Sequence, residues 1–132
     1  MSATPTDRRY TSSHEWVRVD GPDLVVGITD HAQSELTDIV FVDLPKPGRT
    51  VRRGESVLVL ESVKTVADVY APADGTIGAV NESLKTTPGQ VNQDPFGAGW
   101  IYRLTPAGPF DPQALLSAEQ YDALVAGGPP PH

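Results

Sequence analysis

The sequence predicts a mainly β fold, a single sandwich-type domain with short helices near residues 30–36 and 112–126. Three observations carry that expectation. Apolar, largely β-branched runs recur at strand length, punctuated by Gly, Pro and Asp turns. Helical spacing behind a capping residue is confined to two short stretches. Residues 57–71 read as two strands joined by a brief polar tip, and turn-then-strand segments flank them: Gly54-Glu55-Ser56-Val57 before and Asp74-Gly75-Thr76-Ile77 after, a hint of pseudo-symmetry.

A chain of 132 residues can bury a core in one domain without covalent staples. It has no cysteine, so disulfides, thiolate nucleophiles and cysteine-ligated metals are excluded, and any redox chemistry must come from an attached group. The net charge of −7 argues against nucleic acid or an anionic membrane as the main partner. No run is long enough to span a bilayer, and residues 1–9 lack the apolar stretch of a secretory signal, so a cytoplasmic protein is expected, with monomer as the default oligomeric state. His14, His31 and His132 show no metal-ligand spacing, and neither a phosphate-binding loop nor a nucleophile elbow is present. His14 and Glu15, if adjacent on a strand, point to opposite faces and do not form an acid–base pair.

In chain order, residues 1–9 are polar, contain Pro5 and read as a flexible arm, and the domain proper runs from 10 to 126. Trp16-Val17-Arg18-Val19, the turn Asp20-Gly21-Pro22-Asp23 and Leu24-Val25-Val26-Gly27-Ile28 make a hairpin. Thr29 or Asp30 caps the helix over 30–36, with Gln33 at capping-box distance from Asp30. Residues 39–44 form a strand that Pro45, Pro47 and Gly48 end. Arg52 and Arg53 make a basic, solvated turn. Beyond the central hairpin, Pro72-Ala73-Asp74-Gly75 turns into a strand over 76–80. Residues 83–99, rich in Thr, Pro, Gly, Asn and Asp, read as a long surface connection to a strand over 100–104, with Trp100 set into the core. Asp111-Pro112 starts a helix, and Ser117 with Gln120 makes a capping box ahead of Tyr121, Leu124 and Val125. Residues 127–132 form a proline-rich, disordered tail.

The central hairpin carries Lys64 at its tip, between the apolar run over 57–60 and Val66, Val69 and Tyr70. A lysine so placed is reachable yet firmly mounted, which suits a covalent attachment point. An exposed amine is protonated at neutral pH, so its acylation calls for a separate ligase. Taken alone, a lysine on a turn is ordinary solvated surface.

The surrounding residues change that reading. Glu61-Ser62-Val63-Lys64, then Asp68 and Tyr70-Ala71-Pro72, closely resemble the attachment hairpin of the glycine cleavage system H protein family. Tyr10, His14-Glu15-Trp16, Gly27-Ile28-Thr29-Asp30 with Ala32-Gln33, and residues 38–42 before Leu44-Pro45 match the family in order and spacing. So do Asn92, Asp94-Pro95-Phe96-Gly97 and Gly99-Trp100. The resemblance implies a lipoyl/biotinyl-type β-sandwich, or flattened barrel, that is a non-catalytic carrier with lipoate bound covalently to Lys64. Glu61, Ser62, Val63 and Asp68 are then the hairpin residues that a lipoyl ligase or lipoyltransferase reads. Ser13, Glu15, Ile28, Ala32 and Asp68 are the walls of a cleft for the arm.

The implied partners are glycine decarboxylase (P protein, with pyridoxal phosphate), aminomethyltransferase (T protein, with tetrahydrofolate) and dihydrolipoyl dehydrogenase (L protein). The lipoamide takes up the aminomethyl group of glycine, presents it to the second enzyme and is reoxidised by the third. Two positions depart from the family pattern: Thr37 stands where relatives usually have glycine, and Phe96 where many have tyrosine. A biotin carrier would flank its lysine with methionines, and a 2-oxo acid dehydrogenase domain would precede it with aspartate; here the neighbours are Val63 and Thr65. An H-like lipoyl donor for other complexes and an unmodified β-sandwich interaction module are the alternatives.

Overall fold

The computed structural model describes residues 4–126. Among these residues, nine strands, all paired antiparallel, form two sheets. In order they are β1 (Arg9–Tyr10), β2 (Glu15–Asp20), β3 (Asp23–Ile28), β4 (Ile39–Asp43), β5 (Thr50–Val51), β6 (Ser56–Ser62), β7 (Val66–Tyr70), β8 (Gly75–Val80) and β9 (Tyr102–Pro106). The larger sheet runs β1-β2-β3-β9-β8-β5, and the smaller, β4-β6-β7, carries the lysine hairpin. Among the described residues there are also three α-helices: α1 (Asp30–Leu36), α2 (Gln90–Gln93) and α3 (Ala118–Val125). This is the mainly β sandwich that the sequence predicts. The tail over 127–132 lies outside the described residues.

Alternation along the strands sends Val17, Leu24, Val26 and Ile28 into a core that they share with Val42, Leu58, Leu60 and Val69 of the smaller sheet. A second cluster, Tyr10, Trp16, Val25, Ala118 and Tyr121, covers the other face of β2 and β3 under α3. Both faces of β2 are therefore buried at Trp16 and Val17. Trp16 lies across Gly27, its partner in register, where an added Cβ would come within 2.7 Å of the indole. Its Nε1 donates to the Pro95 carbonyl at 2.9 Å, and the Arg8 guanidinium covers the ring at 4.6 Å.

Several local expectations need correction. Residues 83–99 are not an irregular surface connection: a 3-10 turn at Glu82–Lys85 and helix α2 bury Leu84 and Val91 completely. The strand after them begins at Tyr102 rather than at residue 100, and Trp100 is only partly buried against the second cluster. The helical region near 112–126 is a 3-10 turn, Pro112–Ala114, capped by Asp111, and then α3. Between them Leu116 bridges to Tyr10. The Ser117/Gln120 capping box is present. The expected Asp30 box is not: Thr29 caps α1 by accepting from the Ala32 N–H, and Gln33 Nε2 donates instead to the Asp30 carboxylate at 2.8 Å. Ahead of Tyr10, Arg9 already pairs with Val17, and Arg8 Nη1 donates to the Phe96 carbonyl at 2.8 Å.

Thr37 ends α1 with φ 62° and ψ −153°, a region that essentially only glycine visits without strain. Asn92 holds it there. Its Nδ2 donates to the Thr37 carbonyl at 2.7 Å and to Gln33 Oε1 at 3.0 Å, while its Oδ1 accepts the Ile39 N–H at 2.9 Å.

Candidate carrier site

The lysine tip is built from backbone constraint and one hydroxyl. Ser62 N donates to the Thr65 carbonyl at 2.8 Å, closing the turn between β6 and β7. Ser62 Oγ accepts the Lys64 N–H at 3.2 Å and the Thr65 N–H at 3.0 Å. The Val63 N–H donates to the Asp38 carbonyl at 3.0 Å, which ties the tip to the junction after α1. Lys64 is exposed, and its Nζ lies 3.4 Å from the Glu35 carbonyl oxygen. Glu61 sits in register between Phe41 and Val66, both at least half exposed, so the face beside the tip is an acid set among apolar groups. Val63, at 68% exposed, extends that apolar surface to the lysine's immediate neighbour.

Glu35 is also part of the wall of a cleft of about 290 Å³ between α1, the segment before β2, and β7. Ser13, Glu15, Ile28, Ala32 and Asp68 all line it. The structure thus brings together the five residues named for a cleft, from four separate stretches of chain. It adds Leu36, Leu60, Ala67 and Val69 to the apolar wall, and His14, His31 and Glu35 to the polar one.

Glu15 is almost wholly buried at the start of β2. The Thr11 and Ser13 hydroxyls both donate to its Oε1, the latter at 2.6 Å, and the Tyr70 N–H donates to its Oε2 at 3.1 Å. Burial pushes the Glu15 carboxyl up, and the three donors oppose that shift without cancelling it. Through Tyr70, the carboxylate also joins the larger sheet to the smaller. Asp68 is exposed, with Oδ1 accepting from Ser56 Oγ at 2.7 Å.

The expectation that His14 and Glu15 face opposite ways is overturned by the backbone. His14 precedes β2 with φ 72°, so strand alternation does not govern it, and both side chains line the cleft. They still have separate partners: His14 Nδ1 shares a hydrogen bond with the Tyr121 hydroxyl at 2.8 Å. The His14 and His31 rings lie 4.9 Å apart, and burial together with the His31 imidazole holds the His14 ring below its ordinary pKa. Nothing in the sequence marks the His14 turn. His31, Ala32, Glu35 and Leu36, by contrast, share one helical face, a spacing that finds them once Ala32 is chosen.

Neither Arg52 nor Arg53 supplies a cleft wall. It is Arg49 that works structurally: it donates to the Val57 and Ser56 carbonyls at 2.8 and 3.0 Å and pairs with Glu55 at 2.9 Å, bracing the entry to β6. Among the described residues, no three His, Asp or Glu side chains converge as metal ligands. No described helix is long and apolar enough to cross a membrane.

A β-sandwich that offers one lysine on a pinned hairpin tip, at the mouth of a half-apolar cleft, defines a carrier domain of the lipoyl/biotinyl type. Comparison with known proteins gives the particular kind. Residues 8–127 match the family model described as Glycine cleavage H-protein. The chain is 52% identical over 121 residues to a glycine cleavage system H protein of Thermus thermophilus, covering 92% of this chain and 94% of the relative. It is 51% identical over 123 residues to that of Deinococcus radiodurans, covering 93% and 98%. A crystal structure of the H protein from Mycobacterium marinum superposes with a TM-score of 0.83 at 43% identity, covering 93% of this chain and 98% of that one. The chain belongs to the glycine cleavage H-protein family, a family of carrier proteins.

Proposed function

We propose that Lys64 carries lipoate as an amide on Nζ, and that the chain is the lipoyl-carrying shuttle of the glycine cleavage system. The observation that carries this reading is the placement of Lys64: exposed, on a tip fixed by Ser62 and Asp38, with Nζ beside Glu35 at the edge of the cleft. The cleft suits the group. Ile28, Ala32, Leu36, Leu60, Ala67 and Val69 match a chain of methylenes ending in a ring of carbon and sulfur, and a site of this size can shelter its end from water.

When bound, lipoate supplies a disulfide that accepts a one-carbon amine and is later reoxidised. The chain's own residues do the rest. Ser62 and the Asp38 carbonyl hold the attachment point still, so that a lipoyl ligase or lipoyltransferase meets one geometry, with Glu61, Val63 and Asp68 as its surface landmarks. The apolar wall excludes water from a stored arm. Asp68, with Oδ2 free of the Ser56 bond, and Glu15, anchored through three donors, present carboxylates to a cargo ammonium and keep its proton on nitrogen.

The partners in this reading are the P protein, with pyridoxal phosphate, the T protein, with tetrahydrofolate, and the L protein. The chemistry is theirs, the chain is a monomeric carrier among them, and the compartment is the cytoplasm. Intact mass from a lipoate-supplied host, beside a Lys64→Arg control, tests the attachment. A lipoyl-sized increment in the wild type alone is expected. Its absence, with the ligase active on another substrate, overturns the reading in favour of an unmodified interaction module.

A further inference from the structure

Helix α3 reaches both walls of the cleft through one hydroxyl. Tyr121, on α3, is buried and stacks on Tyr10 with ring centroids 4.9 Å apart. Its OH shares hydrogen bonds with His14 Nδ1 at 2.8 Å and with Thr29 Oγ1 at 2.6 Å. Thr29 is the N-cap of α1, the helix that supplies His31, Ala32, Glu35 and Leu36 to one wall. His14 belongs to the segment that supplies the opposite wall, where its backbone turns through a positive φ and its ring hydrogen-bonds to Tyr121.

We propose that Tyr121 is a positioning residue of the cleft: its hydroxyl orients the His14 imidazole and locks the segment before β2 to the cap of α1, so that the two walls stay closed around a stored arm. The inference rests on the cleft being the arm's store, as proposed above. A phenol hydroxyl can donate to one of these neighbours while accepting from the other, so it fits either ring tautomer. The titratable groups of the cleft besides His14 are His31 and Glu35 from α1, Glu15 from β2 and Asp68 from β7. Burial and the neighbouring His31 imidazole disfavour the charged His14 ring, so it competes less with an ammonium for these carboxylates. Without the Tyr121 hydroxyl the ring turns, the walls part, and water reaches the cargo. The loss is hydrolysis: the bond between sulfur and the methylene carbon breaks as a proton passes from nitrogen to sulfur, water adds to the methylene carbon, and the carbon–nitrogen bond then breaks, leaving thiol, formaldehyde and ammonium.

The test uses Tyr121→Phe, which keeps the stack on Tyr10 and removes only the hydroxyl. Lipoylated, reduced protein is loaded with formaldehyde and ammonium, the reverse of the loss, and the lifetime of the load is followed by intact mass. The His14 ring is titrated by NMR in the unmodified protein. Expected are unchanged lipoylation, an altered His14 tautomer balance and titration, and a load lifetime shorter by roughly three- to tenfold, the worth of one hydrogen bond. Should Tyr121→Phe fail to fold, His14→Asn, a residue that tolerates positive φ, carries the same lifetime comparison. An unchanged lifetime in a folded variant overturns this inference alone. If the wild-type load decays as fast as free aminomethylated dihydrolipoamide, the cleft is no store, and the underlying reading fails with it.

Discussion

The Val63 N–H donates to the Asp38 carbonyl at 3.0 Å, so the residue before the lysine is fastened to the residue after Thr37. Through this bond the hairpin tip, α1 and the Asn92 clasp form one mechanical unit. The Lys64 tip is held from below as well as from within its own turn.

Ser62 supplies the internal hold. Ser62→Ala removes the acceptor of the Lys64 and Thr65 N–H groups on an exposed turn, so global stability should fall by about 1 kcal/mol or less. Hydrogen exchange at Lys64 and Thr65 should accelerate sharply while β6 and β7 keep their protection. The rate of lipoylation should fall with it. A variant whose tip exchanges as slowly as the wild type would show that the Asp38 contact alone suffices.

Thr37→Gly should stabilise the protein. Releasing φ 62°, ψ −153° from a β-branched residue returns about 1–3 kcal/mol. Glycine's greater freedom in the unfolded chain costs about 0.5–1 kcal/mol, for a net gain near 1 kcal/mol. Asn92→Ala should act in the opposite sense, by about 1–3 kcal/mol, because it strands the Ile39 N–H and the Thr37 carbonyl. Urea unfolding of the two variants reads both effects.

Glu15 and His14 make stability depend on pH in opposite senses. The Glu15 carboxyl is raised above its ordinary 4.5, so its contribution is full at low pH and is lost as pH rises through the folded value. The His14 ring is held below 6.5, so its contribution is present above that pH and is lost as pH falls through the folded value. Glu15→Gln, whose amide can still take the Tyr70 N–H, should therefore unfold at an equal or higher temperature than the wild type at pH 7. The difference should vanish near pH 4. The same variant should lose its stored cargo faster, which separates the function of this carboxylate from its structural cost.

Gly27→Ala places a methyl group 2.7 Å from an indole pinned by Pro95 and capped by Arg8. A loss of about 1–3 kcal/mol is expected, with a red shift of Trp16 emission as the ring is displaced. An unshifted spectrum at full stability would mean that β3 moves aside instead.

Much of this was legible in the sequence, for reasons that differ by element. The β2–β3 and β6–β7 hairpins announce themselves because alternation and turn chemistry act over neighbouring residues. The Ser117/Gln120 box is equally local. The Asp30 box misleads because Thr29 and Asp30 are both good caps, and the Ala32 N–H chooses between them only in three dimensions. Residues 83–99 look like surface because Leu84 and Val91 are isolated among polar neighbours, and the core that receives them comes from distant strands. Ser13, Glu15, Ile28, Ala32 and Asp68 could be named through the resemblance; Glu35 and the apolar residues Leu36, Leu60, Ala67 and Val69 were added only by the fold. His14 and Tyr121 could not, because a positive φ and a contact spanning most of the chain leave no periodic trace.

The topology also separates two events in time. The β6–β7 hairpin is made from neighbouring residues, whereas the larger sheet closes only when Leu24 pairs with Leu104, and the Tyr121 tie comes later still. In the reading proposed above, the residues of the lysine hairpin are therefore synthesised before those that tie the cleft walls together. On that reading, a chain released short of α3 would keep the hairpin that is proposed to meet a ligase and lack the Tyr121 tie that is proposed to hold the arm's shelter closed.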